Sequence, residues 1–166
     1  MNTANNPYIA TFIVNRCNIV IMEKSSSSEE RKFEVQVDGI LLGEINLLIF
    51  YVPGIAISDS HVALWGGTRI YIGSLAGHEL NQYLLDDEIH SVYPMGNQWC
   101  LVCETSVVIW EPSTGVQMRY EHNEVLMSNW WSDDLLVVED FQGRRLVFQP
   151  LKIESCLIPQ ITSGCD

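Results

Sequence analysis

The chain has 166 residues, 47% apolar and 18% charged, a globular composition long enough to bury a sizeable core and unlike that of a disordered segment. Against 21 acids stand 9 Lys and Arg, for a net charge of −12. That balance excludes nucleic acid and anionic membrane as partners selected by charge, and points to a basic partner instead.

Met1 to Pro7 is polar, without the basic start and apolar core of a secretory signal. Five cysteines (Cys17, Cys100, Cys103, Cys156, Cys165) are odd in number and irregular in spacing, and read as reduced thiols in a cytoplasm. Thr11 to Met22 reads as a first strand or strand pair. Glu23 to Lys32, EKSSSSEERK, reads as a mobile polar loop. In FEVQVDGILLGEI, Asp38-Gly39 falls between two strands, a hairpin signal because both residues tolerate positive φ. Ile40 to Ile57 is apolar enough to suggest a membrane span, but it carries Glu44, Asn46 and Pro53. A charge at mid-bilayer costs about 2.5–3.5 kcal/mol, so two buried strands around a turn fit better.

From Ser58 onward the chain can be compared with itself. TRIYI (Thr68 to Ile72), SVVIW (Ser106 to Trp110) and RRLVF (Arg144 to Phe148) start 38 residues apart each time. Ile70, Val108 and Leu146 coincide, as do Ile72, Trp110 and Phe148. Each such strand follows another (VALW, WCLVC, LLVVED), and each of those follows a polar turn. Gly77 lies over Gly115 in the turn after the first two units. Short β-branched or aromatic strands at this spacing, with turn residues between them, predict an all-β, antiparallel fold of repeated units.

Segment by segment, and most of all in VVIWEPSTG (Val107 to Gly115), the pattern resembles the blades of WD-repeat and quinoprotein-type β-propellers over about residues 55–150. The Trp-Asp dipeptide of the WD family is replaced by Trp110-Glu111, and His78 and His122 do not stand in its Gly-His position. The resemblance implies four-stranded blades. Closed propellers usually need four or more of them, and the repeats here supply about three. The expectation is therefore one all-β domain over 1–166, a partial propeller or open β-sandwich. Residues 11–52 would give covering N-terminal strands, 55–150 the blades, and 151–166 a C-terminal tail.

No nucleophile elbow, P-loop or dinucleotide fingerprint is present, so no catalytic residues are assigned and no enzyme is expected. Cys100-x-x-Cys103 has metal-ligand spacing, but it lies in a strand, where positions i and i+3 face opposite sides; buried thiols are expected. His61, His78, His90 and His122 read as turn or surface histidines, and no metal or cofactor is expected.

The acids carry more information. Between Glu79 and Asp140 stand twelve acids and one base, Arg119, a balance of −11. Many fall in turns, and those at Asp86, Asp87, Glu88, Glu121, Glu124, Asp133 and Asp134 could gather on one acidic surface that steers a basic partner. Trp130-Trp131 precedes Asp133-Asp134; alternation sends one ring inward and one outward, and an exposed ring among carboxylates suits a Lys or Arg. The expected function is a non-enzymatic protein-binding domain. Its most concrete form is an acidic immunity or inhibitor protein that occludes a basic partner such as a toxin nuclease. The alternative is a self-associating assembly module built from a partial propeller, with a possible homo-oligomer as its product.

Overall fold

The computed structural model describes residues 8–14, 16–77, 79–149 and 160–162, and among these the chain forms strands and no helix. The strands fall into four-stranded antiparallel meanders, each in simple sequence order. The first sheet holds β1 (Ile9–Val14), β2 (Cys17–Ser26), β3 (Glu30–Val37) and β4 (Ile40–Leu48). The second holds β5 (Gly54–Ile57), β6 (His61–Gly66), β7 (Arg69–Ser74) and β8 (Leu80–Leu84). The third holds β9 (Ile89–Met95), β10 (Gln98–Cys103), β11 (Ser106–Glu111) and β12 (Gly115–Glu121). The fourth holds β13 (Leu126–Ser132), β14 (Leu135–Asp140), β15 (Arg145–Phe148) and β16 (Gln160–Thr162).

The all-β, propeller-blade-like architecture matches the expectation, and the 38-residue register holds: Ile70, Val108, Leu146, Ile72, Trp110 and Phe148 are all buried. Two features differ. Among the described residues the sheets number four, because residues 9–48 form a complete blade-like sheet of their own. The sheets are also offset by one strand from the repeat seen in sequence, since the last strand of each sequence unit opens the next sheet.

The segment Glu23 to Lys32 is a hairpin rather than a loop. Glu23, Ser25 and Ser26 pair with Phe33, Lys32 and Arg31. Ser27 closes the turn, its Oγ accepting from the amides of Glu29 at 3.2 Å and Glu30 at 2.9 Å. Cross-strand charges fix the register, with Arg31 donating to both oxygens of Glu23 at 3.0 and 2.8 Å and Lys24 lying 3.2 Å from Glu34. Asp38 and Gly39 form the β3–β4 turn with φ of 51° and 79°. Ile40 to Ile57 folds as β4, a turn and β5, and no helix among the described residues is long and apolar enough to cross a membrane. Of the 151–166 tail only β16 is described, and Cys156 and Cys165 lie outside the described residues.

The chain divides into two compact units, the first ending at Leu85 and the second starting at Asp86. In the first, alternation along β3 turns Phe33, Val35 and Val37 inward. They join Ile19, Ile21, Leu42, Ile45 and Leu47, and the second sheet adds Val62, Leu64 and Tyr71. Each fully buried aliphatic or Phe side chain contributes about 1.5–3 kcal/mol. The two sheets are also joined by polar contacts. The Tyr71 hydroxyl donates to the Asn46 carbonyl at 2.7 Å, and Arg69 reaches that carbonyl and Glu30 Oε1, both at 2.9 Å.

In the second unit the inner strands β10 and β11 are buried along nearly their whole length, which is why WCLVC and SVVIW read as continuous apolar runs. Cys100, Val102, Val107 and Ile109 share a core with Leu126, Leu136, Val138, Leu146 and Phe148 of the fourth sheet. The outer strands β12 and β13 are mostly half-buried or exposed.

Candidate functional site

The second unit has two polar rims, set by strand direction. One, the connection rim, gathers segments 86–88, 104–105, 122–125 and 141–144. Backbone bonds lace it: Glu104 N to Glu88 O at 2.7 Å, Leu126 N to Glu104 O at 2.7 Å and Phe141 N to Val125 O at 2.9 Å. The other, the hairpin rim, carries the β9–β10, β11–β12 and β13–β14 turns.

Five of the acids singled out in the sequence lie on the connection rim, and most are engaged within the chain. Asp86 takes Arg119 through two bonds at 2.8 and 2.6 Å, and Glu121 takes the same guanidinium at 3.2 Å. The bonds Arg119 donates to Asp86 are the main reason the Arg119 pKa is pushed up, and the same pairing lowers that of Asp86. Asp87 is a brace: its Oδ2 accepts from Thr105 N at 3.1 Å, Thr105 Oγ1 at 3.2 Å and Ser106 Oγ at 2.8 Å. The Glu88 carbonyl belongs to the backbone lacing, and Glu124 accepts from Gln142 at 2.9 Å.

On the same rim, His122 departs from the turn or surface reading. Its ring is 9% exposed and its Nε2 lies 2.9 Å from Asp140 Oδ2, on a carboxylate with no exposed side-chain surface. Asp140 also accepts from Gln142 N at 2.9 Å, Arg144 N at 2.9 Å and Arg144 Nε at 2.8 Å. Burial alone would raise its pKa, but these donors outweigh burial and hold it at about 2. His61 sits at a strand start, with Nδ1 2.8 Å from Ser60 Oγ, and His90 is exposed on β9; His78 lies outside the described residues.

Trp131, Asp133 and Asp134 lie on the hairpin rim, so the chosen acids are divided between two ends of the unit and do not form one surface. Alternation along β13 acts as expected: Trp130 is 38% exposed, while Trp131 is half-buried against the core. The exposed ring already has a cation. The Arg145 guanidinium lies 5.7 Å from the Trp130 ring centre and donates to Glu139 at 3.1 Å. Trp131 instead meets Tyr93 edge to face, ring centres 5.5 Å apart at 84°, and the Tyr93 hydroxyl donates to Asn129 Oδ1.

These two rings, with Pro94, Met95, Asp133 and Asp134, line an open recess of about 280 Å³. Asp133 occupies the tight turn with φ of 53°, in the left-handed region that Asp tolerates better than most residues. Among the described residues neither Asp133 nor Asp134 pairs with a side-chain cation. Sequence reasoning found Trp131 and the two acids but missed Tyr93, Pro94 and Met95. The signal was present: Tyr93 precedes Trp131 by one repeat of 38 residues, so the two rings occupy matching places in successive sheets.

The recess lacks a nucleophile and base in contact, and among the described residues no cluster of three or more His, Cys, Asp or Glu side chains could hold a metal. Cys100 and Cys103 are buried free thiols, each with its pKa pushed up to about 12, chiefly by burial.

No family model matches the chain, and no curated protein does. The fold is shared with solved structures of propeller type. HIRA(644-1017) superposes with a TM-score of 0.52 at 11% identity, over 93% of this chain and 52% of that one. BBS1N, solved in complex with ARL6DN, gives 0.56 at 13% identity over 90% of this chain and 48% of that one. The computationally designed Ika4 protein gives 0.58 at 15% identity over 90% and 95%. The chain thus spans about half the length of HIRA(644-1017) and of BBS1N, and nearly all of Ika4. At these identities the likeness defines the fold class, a protein of propeller-blade-like sheets.

Proposed function

We propose that this chain is a non-enzymatic protein-binding module that recognises a basic segment of another protein. The observation that carries the reading is the Asp133-Asp134 turn, two carboxylates without a side-chain cation among the described residues, beside a recess walled by Trp131 and Tyr93. Such a pairing of aromatic anchor and charge suits a protein partner better than a small polar metabolite. The net charge of −12 would steer a basic partner from a distance. In its most concrete form the module is an immunity or inhibitor protein for a basic toxin such as a nuclease, acting in the cytoplasm, its carboxylates standing where the toxin would hold phosphates. The experiment is affinity capture of the tagged chain from its own cells at low salt, followed by titration of the purified partner. The reading requires an affinity that falls with added salt and drops about tenfold or more when Asp133 and Asp134 are both reversed to Lys. A partner indifferent to both salt and reversal would sink it.

A second reading has its own observation. Four sheets among the described residues, spanning about half of HIRA(644-1017) and of BBS1N, suit a self-associating module in which a second copy adds further sheets. Equilibrium sedimentation decides this: a single 18.8 kDa species across micromolar concentrations removes the reading.

A further inference from the structure

We infer that the recess at the hairpin rim is a receptor for one arginine side chain presented by a protein partner; this rests on, and sharpens, the protein-binding reading.

The argument comes from the molecule's own habits. Twice, an aromatic ring beside a carboxylate is completed by an arginine. Arg31 lies 5.1 Å from the centre of the Phe33 ring while bonding both oxygens of Glu23. Arg145 lies 5.7 Å from the centre of the Trp130 ring while bonding Glu139. Trp131 with Asp133 and Asp134 repeats the ring and the carboxylates in one recess, and among the described residues no arginine fills it. The recess brings a ring and carboxylates together in the same way.

Shape and charge select the guest. The two rings stand nearly perpendicular in edge-to-face contact, and Met95 and Pro94 add apolar lining against which a methylene stem can pack. A guanidinium is flat, stacks on an indole, donates in a fork to carboxylates and is less strongly hydrated than an ammonium. Trp131 is held by the core on one side and Tyr93 by Asn129, so the walls are set before a guest arrives.

The test is an NMR titration of the full ¹⁵N-labelled chain with an N-acetylated Gly-Arg-Gly amide, its lysine counterpart, and its citrulline counterpart, which keeps the shape and loses the charge. The expected result is a saturable shift of the Trp131 indole N–H and the Asp133 and Asp134 amides with arginine, about fivefold weaker binding with lysine, and none with citrulline. The Asp133→Asn/Asp134→Asn variant should weaken arginine binding about fivefold or more. Asp86→Asn, at the other rim, should leave it unchanged. Both acids are exposed, and preserved folding is checked by the unchanged spectrum of the second unit away from the recess. Equal shifts with citrulline, equal affinity for lysine, or indifference to the double variant would each overturn the inference. If the arginine titration fails while the captured partner still binds in a salt-sensitive way, the protein-binding reading stands and only the recess is wrong. If the titration succeeds and no partner is captured, the arginine site stands while its presentation by a protein partner falls.

Discussion

His122 Nε2 lies 2.9 Å from the Asp140 carboxylate, and that contact ties the loop leaving the third sheet to the inner hairpin of the fourth. The carboxylate has no exposed surface and also serves Gln142 and Arg144, so it joins three partners at one buried point of the second unit. Asp140→Ala should destabilise the protein by about 3–5 kcal/mol, because it strips a buried ionic network of its acceptor. His122→Ala should cost less, about 1–3 kcal/mol. Urea unfolding of the two variants measures both.

The same joint sets an acid limit. The Asp140 pKa lies below its ordinary value of 3.8, at about 2, so the carboxylate contributes stability that is fully present above about pH 4. That contribution is lost as pH falls towards 2. Thermal melts of wild type and Asp140→Asn between pH 6 and 2 should converge at the acid end, and a constant gap would contradict this.

Asp86 and Asp87 are neighbours with different duties. Asp87→Ala removes the acceptor for Thr105 and Ser106 and should cost about 1–3 kcal/mol. Asp86→Ala breaks a surface pair with Arg119 and should cost about 0–1 kcal/mol. Chemical denaturation of the two single variants separates them.

Gly54 leaves no room for a methyl group. A Cβ built there would fall 2.3 Å from Cε2 of Trp65, a ring that cannot fold out of the way as a flexible chain end could. Gly54→Ala should therefore destabilise the first unit by about 1–3 kcal/mol. A shift in Trp65 fluorescence would accompany it.

At Asp133 stability and binding should part company. Glycine takes φ of 53° without strain, so Asp133→Gly should leave stability unchanged or raise it by up to about 1 kcal/mol. The same change should weaken binding of the arginine peptide. One melting curve and one titration on one variant check both directions.

The third and fourth sheets were legible because their inner strands are apolar on both faces and repeat at 38 residues. In the first sheet the β3–β4 hairpin at Asp38-Gly39 was legible, but the β2–β3 hairpin was not. At its outer end β2 and β3 carry EKSS and ERK, polar enough to hide the period-2 signal. What holds that hairpin is pairing across strands, Glu23 with Arg31 and Lys24 with Glu34, which a reading of single segments cannot weigh. His122 was misread for a similar reason: its partner Asp140 lies 18 residues further on, across a full strand pair. Of the recess, the residues on β13 and its turn could be named from sequence, while Tyr93, Pro94 and Met95 arrive from the neighbouring sheet.

Each sheet is built from four strands, an even number, so the chain leaves every meander at the same end by which it came in. The join from third to fourth sheet, at 122–125, is accordingly only a few residues long. A segment of one repeat length can therefore be inserted or deleted without turning the following chain upside down. Gain or loss of a single strand would instead reverse the direction of every strand that follows.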